Sequence, residues 1–200
     1  GNAGYTASML LLPLLACVPV LVSEEPTVEA GPWVAPTNTW PISPPPEGLS
    51  AEGFEEGEVV PDFRLMDQFG AEVSLWQFYG SVVVLDISTM WCAPCQQLAR
   101  GVQEVADSYK DQGFFYLTVF PEDQDGDVND PIVPDQADLQ GWADYYDIAE
   151  PLLSDGAGYA AQVVTEGYPV VVILDREMKS TGPRESPSEE QIIATVEEEL

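Results

Sequence analysis

No histidine occurs among the 200 residues, and that absence excludes more chemistry than any other feature of the chain. Hydrolysis by a serine–histidine–carboxylate triad is ruled out. Haem attachment at a Cys-x-x-Cys-His site is ruled out as well, because Gln96 follows Cys95. Cysteine is scarce too: there are three, Cys17, Cys92 and Cys95. A structural zinc site takes about four Cys or His ligands. The segment "WCAPC" supplies two, and Cys17 lies far away in an apolar stretch. Basic residues are the third scarcity, with six Lys plus Arg against 35 Asp plus Glu and a formal net charge of -29. Such a surface repels nucleic acid and anionic headgroups, so neutral or basic proteins are the expected partners.

Long hydrophobic runs are also missing. The longest apolar stretch, residues 7–22, reads "ASMLLLPLLACVPVLV", short of the ~20 residues that cross a bilayer comfortably. It has the character of a secretory signal core, and "LLAC", Leu14 to Cys17, resembles the lipobox of a bacterial lipoprotein. That resemblance implies lipidation at Cys17 and an anchor outside the cytoplasm, in the periplasm or cell envelope. Such signals open with Lys or Arg, whereas the first basic residue here is Arg64, so the true N-terminus is expected upstream; an uncleaved apolar anchor is the alternative. Three parts are therefore expected: a signal and lipobox segment over 1–17, a Pro- and Glu-rich disordered tether over 18–57, and a folded domain over 58–200. The tether has no basic residue and no apolar periodicity, a composition that favours extended chain. Trp33 and Trp40 are out of place in a pure spacer and are candidates to dock on the domain or on a partner.

Within the domain, "VVPDFRLMDQFGAEVSLWQF" holds two short strand-like runs about the turn signal "DQFG". The β-branched run "SVVVLDIST", 81–89, reads as a buried strand. After it Leu98, Val102, Val105 and Tyr109 share one helical face, and Gly113 ends that helix. "FFYLTVF", 114–120, is a second buried strand, a helix is expected over 137–147, and "YPVVVILD" over 168–175 is a third strand. The last helix is expected to begin with Ser186 as N-cap, Pro187 at its first position and Glu189 completing a capping box. The order of hairpin, β, α, β, α, β, α predicts an α/β domain with a mostly parallel central sheet and helices on both faces. Cys92 and Cys95 then fall where a strand gives way to a helix, the functional edge of such sheets. Free N–H groups of a helix N-terminus stabilise a thiolate, and Cys95 lies three residues on, within bonding reach. A purely structural disulfide is the alternative, but so small a loop adds little stability.

"WCAPC" after "VVVLDIST" resembles the active site of the thioredoxin superfamily, and "VPDFRLMDQFGAEVSLWQFYG" resembles the start of its redoxin branch, the TlpA/ResA-like and AhpC/TSA-related group. The likeness spans residues 58–200. It implies a thioredoxin-like fold: a central mixed sheet flanked by helices, with an N-terminal β-hairpin. It implies that Cys92 and Cys95 form the redox-active disulfide, with no other cofactor. Asp86 matches the family's buried acid, which moves a proton to and from the second cysteine. Trp91, Pro94, Tyr168 and Pro169 match the substrate-facing positions, with Pro169 as the cis-proline.

The expected function is a membrane-tethered, extracytoplasmic thiol–disulfide oxidoreductase acting as a reductase. Its expected partners are protein thiols and disulfides and an upstream electron donor, and it is expected to be a monomer. A peroxiredoxin-like peroxidase using Cys92 and a non-catalytic binding module are the rivals. Thr89-x-x-Cys92 overlaps the peroxiredoxin motif, but Leu85 stands in place of its proline. The acidic stretch 121–138 invites a calcium reading; an EF-hand register with Gly126 sixth places Pro121 first and Ile132 twelfth, where acids are needed.

Overall fold

The structure is a computed structural model that describes residues 1, 32–124 and 132–200. Cys17 and residues 18–31 of the expected tether lie outside the described residues, as do 125–131 of the acidic stretch. The domain contains seven strands among the described residues: β1 (Arg64–Asp67), β2 (Glu72–Ser74), β3 (Val82–Ile87), β4 (Phe114–Phe120), β5 (Leu152–Ser154), β6 (Val170–Leu174) and β7 (Arg184–Glu185). Four helices join them: α1 (Ala93–Ala99), α2 (Val102–Tyr109), α3 (Gln136–Tyr146) and α4 (Glu189–Glu199). The strands form one mixed sheet in the order β2-β1-β5-β4-β3-β6-β7. β4 runs parallel to β3 and β5, while β6 is antiparallel to β3, and β1 is antiparallel to β2 and β5. Strands β3, β4 and β6 lie at the middle of the domain and are buried almost throughout, which is why they read as continuous β-branched and aromatic runs. β5 and β7 have three and two residues, too short to carry a readable alternation.

Alternation along the strands divides the core in two. Val82 and Val84 of β3, Phe114, Tyr116 and Phe120 of β4, and Val171 and Ile173 of β6 face one cluster. That cluster also takes Leu98 of α1, Val102 and Val105 of α2, Leu139 and Trp142 of α3, and Ile192 and Val196 of α4. Val83, Leu85 and Ile87 face the opposite cluster with Leu117, Val119, Val170, Val172 and Leu174. Helices on both faces were expected; the four α-helices bury their apolar stripes on one face, and the other carries, among the described residues, only short 3-10 turns at Leu75–Gln77 and Ala160–Gln162. The other face is covered by Val59, Val60 and Phe63, by the turn about Tyr159 and Ala160, and by the segment before the domain.

That segment corrects the expected domain boundary, because residues 32–57 are not free tether. Trp33, Trp40, Leu49 and Phe54 pack against the core. The Trp33 indole N–H donates to Ser74 Oγ at 3.0 Å, and that of Trp40 donates to Asp67 Oδ2 at 2.7 Å. Asn38 Nδ2 donates to the Glu72 carbonyl at 2.7 Å, which occupies the outer edge of β2, and the Ser43 N–H donates to the Gln77 carbonyl at 2.7 Å. A few aromatic and amide anchors hold the strap, and a compositional average dominated by Pro and Glu conceals them.

Two helix boundaries also differ from expectation. The helix expected through Val102 is broken at Gly101, the N-cap of α2. The carboxylate end of Glu189, an exposed side chain of α4, lies in the space a Cβ would take there. α4 starts at Ser188, not Ser186: Ser188 Oγ accepts from the Gln191 N–H at 3.3 Å, and Gln191 Oε1 accepts from the Ser188 N–H at 2.8 Å. Ser186 has φ 44°, outside the extended region an N-cap requires. Its N–H donates to the Pro169 carbonyl at 2.8 Å.

Candidate active site

β3 ends at Ile87, and "STMW" crosses from the sheet to α1. Cys92 is the N-cap of α1, with φ -76° and ψ 118°. Its Sγ accepts from the Cys95 N–H at 3.3 Å, so the sulfur itself does the capping that Ser or Asp usually provides. Pro94 fits in the first turn, where its missing N–H costs nothing. Cys92 and Cys95 are joined as a disulfide with their Cα atoms 5.2 Å apart, and they are 4% and 1% exposed. Both are buried, and Cys92 is the sulfur that touches the loop before β6. Cys92 Sγ lies 3.4 Å from the Tyr168 carbonyl oxygen, and the Tyr168–Pro169 bond is cis. The loop before β6 is thereby set against the cysteines although it lies 76 residues away in sequence.

Around the disulfide, Trp91 is exposed and held in place. Its indole N–H donates to Glu122 Oε2 at 2.8 Å, and its ring meets Tyr168 edge-on at 6.3 Å. Burial, then Glu122 and Asp155, push the Tyr168 phenol above its usual value. Nearby, Pro94, Leu98, Pro169 and Pro187 line a concavity of about 340 Å3. Glu122, Asp155, Ala160 and Tyr168 line a second one of about 530 Å3.

Asp86 of β3 points to the same face as Val82 and Val84, the face on which Leu98 and Ala99 of α1 pack. It is 2% exposed. The Ser88 hydroxyl donates to its Oδ1 at 2.6 Å, and the Tyr116 hydroxyl lies 3.5 Å from Oδ2. Burial pushes the carboxyl up from 3.8 to about 7, against the smaller downward pull of the Ser88 and Tyr116 hydroxyls. Tyr116 is in turn pushed well above 10, first by burial and then by Asp86, with Glu189 adding to the effect. A carboxyl poised near neutrality is suited to passing a proton at physiological pH.

The structure therefore brings together Trp91, Cys92, Pro94, Cys95, Tyr168 and Pro169, and it buries Asp86 on the sheet face that carries α1, with Ser88 and Tyr116 as its hydrogen-bond partners. Sequence reading missed Ser88, Tyr116 and Glu122. Ser88 was open to discovery, since two residues along a strand return to the same face. Tyr116 was not, because its approach to Asp86 depends on the parallel register that pairs Val84 with Tyr116. Glu122 lies 31 residues from Trp91, and no local pattern links them.

Comparison with known proteins agrees with this geometry. The family model described as AhpC/TSA matches residues 57–179. "Thioredoxin-like protein YneN" of Bacillus subtilis is 28% identical over 125 residues, which is 62% of this chain and 68% of that protein. "Thiol-disulfide oxidoreductase ResA" of Bacillus thuringiensis is 27% identical over 107 residues, 54% of this chain and 56% of that protein, so the chain spans little more than half of that relative. Among solved structures, the exposed lipoprotein thioredoxin of Streptococcus pneumoniae aligns with TM-score 0.56 and 26% identity, over 69% of this chain and 99% of that one. A thiol:disulfide interchange protein from Bacteroides sp. aligns with TM-score 0.59 and 19% identity, over 72% and 90%. With a thioredoxin-like fold and a family match over more than half its length, the chain belongs to the AhpC/TSA family, in its TlpA/ResA-like redoxin branch.

Proposed function

We propose that the protein is an extracytoplasmic thiol–disulfide oxidoreductase that reduces disulfides in partner proteins. The observation that carries this reading is Cys92 as the sulfur cap of α1, bonded to a buried Cys95 and set against the Tyr168–Pro169 loop. In the reduced state the Cys92 thiolate keeps the Cys95 N–H and the other free N–H groups of the first turn as its stabilising field. It attacks one sulfur of a partner disulfide. A Cys92–partner bond forms, the partner's own S–S bond breaks, and the first partner sulfur leaves as thiolate. Asp86 then takes the proton of Cys95. The Cys95 thiolate attacks Cys92, forming the intramolecular disulfide and releasing the second partner sulfur. Two electrons pass to the partner, and an upstream donor returns them to the pair. Trp91 and Pro94 flank the attack site, and the Tyr168 and Pro169 backbone offers a seat for an extended substrate segment. The location follows from the lipobox-like "LLAC", with lipidation at Cys17 holding a monomer at the envelope membrane.

Insulin reduction with dithiothreitol as donor tests the reading. Wild-type protein accelerates it, Cys92→Ser abolishes the acceleration, and Cys95→Ser accumulates a mixed disulfide. Consumption of hydrogen peroxide that survives Cys95→Ser, with no insulin turnover, would replace the reductase by a peroxidase.

A further inference from the structure

Asp86 holds its two oxygens in unequal surroundings. Oδ1 accepts a 2.6 Å hydrogen bond from Ser88 Oγ, whereas Oδ2 has only the Tyr116 hydroxyl at 3.5 Å. Ser88 is itself 1% exposed, and its backbone N–H is fixed by the Val119 carbonyl at 3.0 Å. Its hydroxyl therefore belongs to a rigid strand end and does not sample solvent. The other groups facing this carboxyl are few. β4 contributes Tyr116 and the neutral Thr118, and Glu189 of α4 acts through Tyr116. β6 contributes only Val, Ile and Leu. Among the described groups no cation pairs with the carboxylate, so hydroxyl donors alone compensate its charge.

We propose that Ser88 is a positioning residue for the redox reaction: it locks Oδ1 of Asp86, leaves Oδ2 as the oxygen that takes the Cys95 proton, and sets the pH at which that oxygen is free to do so. The inference rests on the proton-relay role of Asp86 proposed above. A hydrogen bond to an ionised acceptor is stronger than one to its neutral form, so Ser88 favours the carboxylate over the acid. Removing the hydroxyl makes the carboxyl hold its proton to higher pH. Tyr116, at 3.5 Å, is too distant to replace it.

Reaction of the reduced full-length protein with dithiobis(nitrobenzoate) separates the steps. Attack by Cys92 releases one thionitrobenzoate, and resolution by Cys95 releases the second. In Ser88→Ala the first phase is unchanged, while the midpoint of the second phase rises by roughly one pH unit, about tenfold slower resolution on the acid side. Ser88→Thr, which keeps a hydroxyl, restores the wild-type midpoint. A carbon-13 titration of the Asp86 carboxyl in the oxidised proteins reads the same upward movement without turnover. A Ser88→Ala midpoint equal to wild type in both measurements overturns the proposal, as does failure of Ser88→Thr to restore it in a folded protein. Asp86→Asn separates the two readings. If it leaves the second phase and its pH dependence intact, the relay itself falls. If it removes that dependence while Ser88→Ala changes nothing, only the role of Ser88 falls.

Discussion

Replacing Asp86 by Asn is expected to stabilise the protein, and to do so more at high pH. The unfolded chain ionises this carboxyl near 3.8, whereas the folded chain keeps the proton up to about 7 because burial penalises the charge. Below 3.8 both states are protonated and folding carries no penalty from this group. As pH rises from there the unfolded state loses its proton first, so stability falls, and the loss is complete above about 7. The gap between 3.8 and about 7, at about 1.36 kcal/mol per pH unit, is worth about 4 kcal/mol at pH 8. At pH 5, only slightly more than one unit above the unfolded value of 3.8, the same penalty is roughly 1.5 kcal/mol. Asparagine has nearly the same shape, keeps a carbonyl oxygen for Ser88, and never ionises. Asp86→Asn should therefore gain about 2.5 kcal/mol more at pH 8 than at pH 5. Constant differences between amide and carboxyl cancel in that comparison. Guanidinium unfolding of the two oxidised proteins, followed by tryptophan fluorescence at both pH values, measures it. An equal change at pH 5 and pH 8 would refute the reasoning, since it would mean that the carboxyl ionises alike in both states. The same variant is expected to slow thiol exchange, so stability and activity move in opposite directions, as they do where a site holds a strained charge.

Two further outcomes test the packing that supports the site. Trp40→Phe keeps the ring but removes the donor to Asp67 Oδ2, a buried acceptor; a loss of roughly 1–3 kcal/mol is expected, with faster limited proteolysis of the strap before Val59. Unchanged proteolysis would detach the strap from domain stability. Leu117→Ala at the centre of β4, fully buried, should cost roughly 2–5 kcal/mol in denaturant unfolding through the cavity it leaves. A cost below about 1 kcal/mol would mean that the core collapses into the space.

Much of this protein is determined within short windows of its sequence. Strands β3, β4 and β6 are buried on both faces, so their apolar runs need no partner to be recognised. "WCAPC" between a strand and a helix places a sulfur at a helix N-terminus by local geometry alone, and the missing histidines remove its metal-bound alternatives. Asp86 was legible only through the family resemblance, whose buried acid it matches in position. Other features belong to the tertiary structure because they depend on contacts between distant segments. The strap is anchored by Trp33 and Trp40 on strands 27 or more residues away, so its proline-rich composition misleads. The helix expected to run through Val102 is interrupted at Gly101, the N-cap of α2. Ser186 is drawn from the helix cap by the Pro169 carbonyl. The placing of Tyr116 near Asp86, of Glu122 on Trp91, and of the Tyr168–Pro169 loop against Cys92 follows from sheet register and loop approach. Reactive groups are chosen by local sequence, while the solvation and hydrogen bonds that set their proton affinities come from residues that only the folded sheet brings together.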